Sequence, residues 1–252
     1  MTKQDSTGIK ILAYDLECAP SVVHSWGLWN QTHSINQIMA DPYIMSFAAR
    51  WVGVKGKPIF TSVYHDGREK MLQTLHGLFD QADALMGYNS IGFDTKWANG
   101  EFIREGMLPP SPSKEIDLMR VVKSNARFIS NKLDYVAQAL GIGKKESTGG
   151  HELWVACMAG DPKAWAKMRK YNIQDVDLLI DLYEKLKPWI KNHPQMAFYG
   201  GHENGCPTCG SENIQKRGFK ATNVSTFQQY QCRACGKWFQ SGKALQRAEM
   251  RP

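Results

Sequence analysis

No apolar run of about 18 residues or more occurs in this chain, so the sequence offers no membrane-spanning helix. Its first eight residues are polar and lack the apolar centre of a secretory signal. With both features missing, the cytoplasm is the expected location. Cysteine is scarce: six occur in 252 residues, four of them in two CxxC pairs near the C-terminus, with Cys18 and Cys157 standing alone. That distribution argues against a disulfide framework and reads as a metal site plus two ordinary buried thiols. Internal repeats and low-complexity tracts are also missing, so neither a repeat array nor a biased tail is expected. The length suits one mid-sized domain with a small appendage.

Hydrophobic residues make up 42% and charged residues 22%, the balance of an ordinary globular protein. The formal net charge is +7 and the sequence pI about 9.0, which favours a polyanionic partner such as nucleic acid without requiring one.

Short apolar runs at residues 9–16, 44–54, 57–64 and 84–88 read as strands, with a further short strand at 114–118. Helical spacing appears over 67–82, 93–105, 117–123 and 132–140. It appears again from Asp161-Pro162, a good helix start, to about Leu186. Strands come first and are then interleaved with helices. The expectation is an α/β domain with a mixed sheet flanked by helices over residues 1–190. Residues 191–204 lapse into His, Pro, Gly and Asn and read as a linker. A small cysteine-bearing module is expected over 205–240, followed by a tail, 241–252, with at most a short helix.

Asp15 and Glu17 lie in AYDLEC at the end of the first strand. Residues two apart on a strand share a face, so two carboxylates emerge together beside an apolar core. Like charges this close repel unless a cation lies between them, and oxygen donors favour magnesium or manganese. Alone, such a pair more often decorates an edge strand. Two later motifs shift the balance. NSIGFD ends at Asp94, after a strand and at a helix start, and YNIQD sets Tyr171 and Asp175 one turn apart on a late helix.

In this order, DxE, then Asp, then YxxxD, the set resembles the DEDD exonuclease superfamily in its tyrosine-bearing branch. That branch includes the proofreading domains of DNA polymerases. In the histidine-bearing branch a His would stand five residues before the last Asp, where this chain has Lys170. Asn89 and Phe93 flank Asp94 much as in polymerase proofreading domains. The stretch SNKLDYVAQALGIGKK, residues 130–145, is similar to a segment of polymerase-B-like exonucleases. DLECAP followed by HSWGLWNQ looks like stand-alone exonucleases of bacteriophages, which implies a phage origin and a host-cytoplasmic setting.

The resemblance implies a ribonuclease H-like fold and a two-metal 3′→5′ exonuclease acting on DNA, with single-stranded ends preferred. By the same likeness, Asp15 bridges two Mg²⁺ or Mn²⁺ ions. Glu17 and Asp175 complete the site of the ion that activates water. Asp94 holds the second, and Tyr171 orients the attacking water. An exoribonuclease, a structure-specific endonuclease and a non-catalytic binding module are the alternatives. A separate polymerase or replication protein is the protein partner implied, since no polymerase domain fits in this length.

Other residues carry two readings each. Asn89 contacts substrate or shapes the loop before Asp94. Asn131 and Lys132 touch the phosphate backbone or simply begin a solvated helix. Asp117 suits a helix N-cap, Asp177 faces away from Asp175, and His151 sits in a Gly-rich loop without a role. Trp26 and Trp29 form part of a nucleotide-stacking surface or, more commonly for tryptophan, pack in the core.

Cys206-Pro-Thr-Cys209 and Cys232-Arg-Ala-Cys235 supply four thiolates for one tetrahedral ion, which favours a structural Zn²⁺. Each pair is followed by a glycine, at 210 and 236. The pattern resembles a zinc ribbon, and YQCRACGKWF looks like ribbons of nucleic-acid proteins. Lys216, Arg217, Lys220, Arg233 and Lys237 are interleaved with Phe219, Phe227, Tyr230 and Trp238. This suits nucleic acid; docking onto the rest of the chain or onto another protein is the alternative.

Overall fold

A computed structural model describes residues 8–144, 149–200 and 202–250. The polar start at 1–7, the last residue of the 130–145 stretch and the final two residues of the tail lie outside the described residues.

The first strand, β1 (Ile11–Ala19), is longer than its apolar run. A short hairpin of β2 (Val22–Val23) and β3 (Ile38–Ala40) follows, then β4 (Tyr43–Trp51) and β5 (Ile59–Ser62). Helix α1 (Arg68–Gln81), β6 (Ala84–Gly87), α2 (Asp94–Arg104) and β7 (Lys114–Asp117) complete the main sheet and its first helices. The strand order is β5-β4-β1-β6-β7: β4 runs antiparallel to β1 and β5, whereas β1, β6 and β7 are parallel.

Both faces of β1 are covered, so its side chains sort by parity. Leu12, Tyr14 and Leu16 pack with Leu72, Leu75 and Phe79 of α1, while Ile11 and Ala13 face a second apolar cluster. That cluster is built from α3 (Leu118–Asn125), α4 (Leu133–Ala139) and α6 (Pro162–Leu186). Asp161 caps α6 by accepting from the Lys163 N–H at 2.8 Å, and Pro162 stands at the first turn, where its missing donor costs nothing. Trp165, Met168, Asn172, Asp175, Val176, Leu179 and Leu182 form its buried stripe at three- and four-residue spacing. Each fully buried leucine contributes roughly 2 kcal/mol. The expected cap role of Asp117 is present: its Oδ1 accepts from Met119 and Arg120 at the head of α3.

Two expectations are corrected by the structure. His151 does not lie in a loop; it opens α5 (His151–Met158), whose start follows Gly149 and Gly150, both with positive φ. Trp26 and Trp29 do not pack in the core, being 98% and 83% exposed.

The C-terminal part is a small antiparallel sheet. Strands β8 (Ile214–Ala221) and β10 (Trp238–Gln240) pair with β9 (Ser225–Cys232), and β11 (Gln246–Arg247) pairs with β9 farther along. The tail thus supplies a strand where a short helix was the expectation, because β9 is long enough to offer backbone groups beyond β10. Two hydrogen bonds tie this part to the rest of the chain: Lys237 Nζ donates to the Ile190 carbonyl at 2.5 Å and Met196 N–H to that of Pro207 at 2.9 Å. Tyr183 and His193 share a 2.6 Å hydrogen bond with stacked rings. No helix among the described residues is long and apolar enough to cross a membrane.

Candidate active site

Asp15 and Glu17 share the α6-facing side of β1, paired in register with Ala48 and Ser46 of β4. A bulge follows at Glu17/Cys18, as is common where a sheet aims a side chain at a site. Asp175 comes from the buried stripe of α6. One carboxylate oxygen from each of Asp15, Glu17 and Asp175 lies within 4.8 Å of the others. Glu17 and Asp175 are buried and Asp15 is half-buried. Three carboxylates this close fit a hard divalent cation, since the donors are all oxygen and a cation between them relieves their mutual repulsion.

Asp94 is not part of that trio. It begins α2 after the 88–93 loop and its Oδ1 accepts from the Leu16 N–H at 3.2 Å, between the two acids of β1 in sequence. Burial pushes its carboxyl up to about 6, against the pull of the backbone donors and with help from the nearby Asp117 charge. The loop before it is tightly built. Asn89 has φ 64, and a Cβ on Gly87 would lie 2.6 Å from that of Ser90, so the turn needs glycine there. Asn89 N–H donates to Asp117 and its carbonyl accepts from Gly92 and Phe93, the loop-shaping arrangement. Tyr14 OH bonds Thr95 Oγ1 at 2.9 Å, and Thr95 donates to Glu115, which pins the first turn of α2 onto the sheet.

Tyr171 lies one turn before Asp175 on α6, half-buried, with Trp154 of α5 edge-on at 6.1 Å between ring centroids. Asn131 and Lys132 stand at the start of α4, beside a cavity of about 540 Å³ that Tyr88, Met119 and Asp134 also line. The Asn131 carbonyl accepts from Tyr88 OH at 2.7 Å. Asp177 faces away from the acids, as its spacing implies, and pairs with Arg50 at 3.2 Å.

Sequence reasoning passed over Asn172. Its side chain is fully buried, and Nδ2 donates to both the backbone carbonyl of Asp15 at 3.1 Å and Oδ2 of Asp15 at 2.8 Å. Its Oδ1 accepts from Ser46, the residue paired with Glu17. A polar residue within the apolar stripe of a helix was the available signal. Asn172→Ala removes its hydrogen bonds to the Ser46 hydroxyl and to the carbonyl and carboxylate of Asp15. Thermal unfolding should show a loss of about 2 kcal/mol, and isothermal titration should show Mn²⁺ affinity reduced on the order of tenfold. Losses below about 0.5 kcal/mol in stability with unchanged affinity would mean that Asn172 does not position Asp15.

A second cluster joins Cys206, Cys209, Cys232 and Cys235. Cys206 and Cys235 sulfurs are 3.7 Å apart and those of Cys209 and Cys232 3.6 Å. These spacings are too long for disulfides and close to the S···S edge of about 3.8 Å expected for Zn–S bonds near 2.3 Å in a tetrahedron. The knuckles close through Gly210 N–H to Cys206 O and Gly236 N–H to Cys232 O, with φ of 74 and 81 at the two glycines. All four donors are soft sulfur, which fits zinc.

A five-stranded mixed sheet of this order, flanked by helices and carrying Asp15 and Glu17 on its central strand, defines an RNase H-like fold. The family model RNase_H_2, of the RNase H superfamily, matches residues 42–187, more than half of the chain, and the chain belongs to that superfamily. The match begins after Asp15 and Glu17. Among solved structures the chain is similar to the family B DNA polymerase of the hyperthermophilic archaeon Pyrobaculum calidifontis, with a TM-score of 0.54 and 18% identity. That similarity covers 71% of this chain and 25% of the polymerase, so it concerns the fold and a quarter of the larger protein. No curated protein matches the chain in sequence.

Proposed function

We propose that the protein is a 3′→5′ exonuclease of the tyrosine-bearing DEDD type, acting on DNA with a preference for single-stranded ends. The observation that carries this reading is the trio Asp15, Glu17 and Asp175 within 4.8 Å, with Tyr171 one turn before Asp175 on the same helix. Likeness to a family B DNA polymerase favours DNA over RNA.

In this reading Asp15, Glu17, Asp94 and Asp175 hold two Mg²⁺ or Mn²⁺ ions, which supply an activated water and neutralise charge at the phosphate and the leaving 3′ oxygen. Asn172 keeps the Asp15 carboxylate turned into the site. Tyr171 orients the attacking water by a hydrogen bond; a phenol with a pKa near 10 is a poor base at neutral pH. Asn89 positions Asp94 through its loop, and Asn131 and Lys132 contact the strand beside the cavity that they line. We read residues 1–190 as the catalytic domain, 191–204 as a linker, 205–240 as a zinc ribbon that binds nucleic acid, and 241–252 as a tail. A phage setting, with a polymerase or replication protein on a separate chain, follows from the motif likeness alone.

The test is incubation with 5′-labelled single-stranded DNA and Mg²⁺ or Mn²⁺, beside a 3′-blocked strand and matched RNA. The expected result is a ladder that shortens from the 3′ end of the unblocked DNA only. Cleavage of circular single strands would overturn the exonuclease reading, and faster loss of RNA would move the substrate from DNA to RNA.

A further inference from the structure

The metal-site strand runs directly into an exposed aromatic hairpin. β1 ends at Ala19, β2 and β3 pair from Val22↔Ala40, and the connection between them carries Trp26, Leu28 and Trp29, which are 98%, 91% and 83% exposed. The tip has defined internal bonds: His24 N–H donates to the Gln37 carbonyl, Gln37 Nε2 to the His24 carbonyl, and Gln31 Nε2 to that of Trp29. Exposed indoles are thus presented on a bonded frame. Trp26 and Trp29 lie nine and twelve positions after Glu17, so they are within about 30 and 40 Å of the acids even at full extension.

We propose that this tip is a stacking platform for unpaired bases of the strand whose 3′ end occupies the acidic site, an inference that rests on the exonuclease reading. Three observations select nucleic acid as the occupant. First, the hairpin continues the strand that carries Asp15 and Glu17, so a strand of several nucleotides whose end lies at the acids can reach it. Second, residues 20–40 contain no Asp, Glu, Lys or Arg, so no carboxylate opposes a phosphate backbone and stacking is the contact that the tip offers. Third, the most exposed side chains of the tip include two indoles, Trp26 and Trp29, whose flat faces suit unpaired bases. Two indoles are enough for bases, because every base has a π-face and stacking is tolerant of sequence. DNA and RNA share that chemistry, and the test includes both.

The double variant Trp26→Ala/Trp29→Ala is compared with Trp26→Phe/Trp29→Phe in the full chain. Both side chains are exposed, so thermal unfolding should be unchanged and reports that the fold is kept. Binding is read by anisotropy of labelled single strands of about 16 nucleotides, DNA and RNA, in an Asp15→Asn background that prevents turnover. Hydrolysis is read on the otherwise unaltered chain. The alanine pair should weaken binding at least about tenfold and raise KM by a similar factor with kcat falling less than about threefold, and the phenylalanine pair should restore most of the affinity. If the unaltered protein hydrolyses strands and the alanine pair binds them equally well, the platform is overturned and the exonuclease reading stands. If no strand is hydrolysed but the affinity loss appears, the exonuclease reading fails and the platform stands. Normal strand binding with altered hydrodynamic size, or with lost binding to phosphatidylglycerol vesicles, assigns the tip to a protein or a bilayer and overturns the proposal.

Discussion

Asp15→Asn should lower the rate of single-strand hydrolysis by a factor on the order of a thousand or more, while the metal-free protein unfolds at the same temperature or higher. The two effects have opposite signs for one physical reason. In the folded chain the Asp15 carboxylate is held within 4.8 Å of those of Glu17 and Asp175. Without a cation that proximity is repulsive, so a neutral amide at position 15 lowers the like-charge repulsion while still offering Asn172 an acceptor. With a cation the same carboxylate is a ligand, and its loss removes charge where the reaction needs it. Adding Mn²⁺ should therefore raise the unfolding temperature of the unaltered protein and leave that of the variant nearly unmoved, because a ligand stabilises only the state that binds it. Single-turnover rates and paired calorimetric scans with and without Mn²⁺ check both halves. A variant that keeps activity within about tenfold, or that gains as much stability from Mn²⁺ as the parent, would remove Asp15 from the metal site.

The acids were legible because their placement follows from periodicities that survive in linear text. A two-residue spacing on a strand set Asp15 and Glu17 on one face, and a four-residue spacing on a helix set Tyr171 and Asp175 on one side. Asp94 and Asp117 could be read from their positions at helix starts, where a carboxylate meets unpaired backbone donors. What was not legible depends on neighbours distant in the chain. Asn172 matters because it meets Asp15, 157 positions away, and nothing in YNIQD announces that bond. Helix α5 was hidden by the paired glycines before it and by HELWVACM, an apolar stretch without a clear helical stripe. Trp26 and Trp29 contradict the ordinary preference of tryptophan for burial; an exposed aromatic hairpin is visible only once the sheet it leaves is in place. Strand β11 is two residues long and exists because β9 has backbone groups left to pair.

Zinc removal should unfold the C-terminal sheet and leave the main sheet standing. Among described residues 202–250 only Cys206, Thr208 and Cys232 are buried, so two of the three buried side chains are themselves cluster sulfurs. Tyr230 stacked on Phe239 and Arg217 over Trp238 add half-exposed contacts, each worth about 1 kcal/mol. Structural zinc in small modules contributes on the order of 10–16 kcal/mol, far more than these contacts together. Chelation, or Cys206→Ser, should abolish hydrogen-exchange protection along β8 and β9 while β1 and β4 keep theirs, and should release one zinc per chain. Protection near Ile190 and Met196 should weaken as well, since Lys237 and Pro207 bond the backbone there. Protection of β9 that survives complete removal of metal would show that the sheet is held by something other than the four sulfurs.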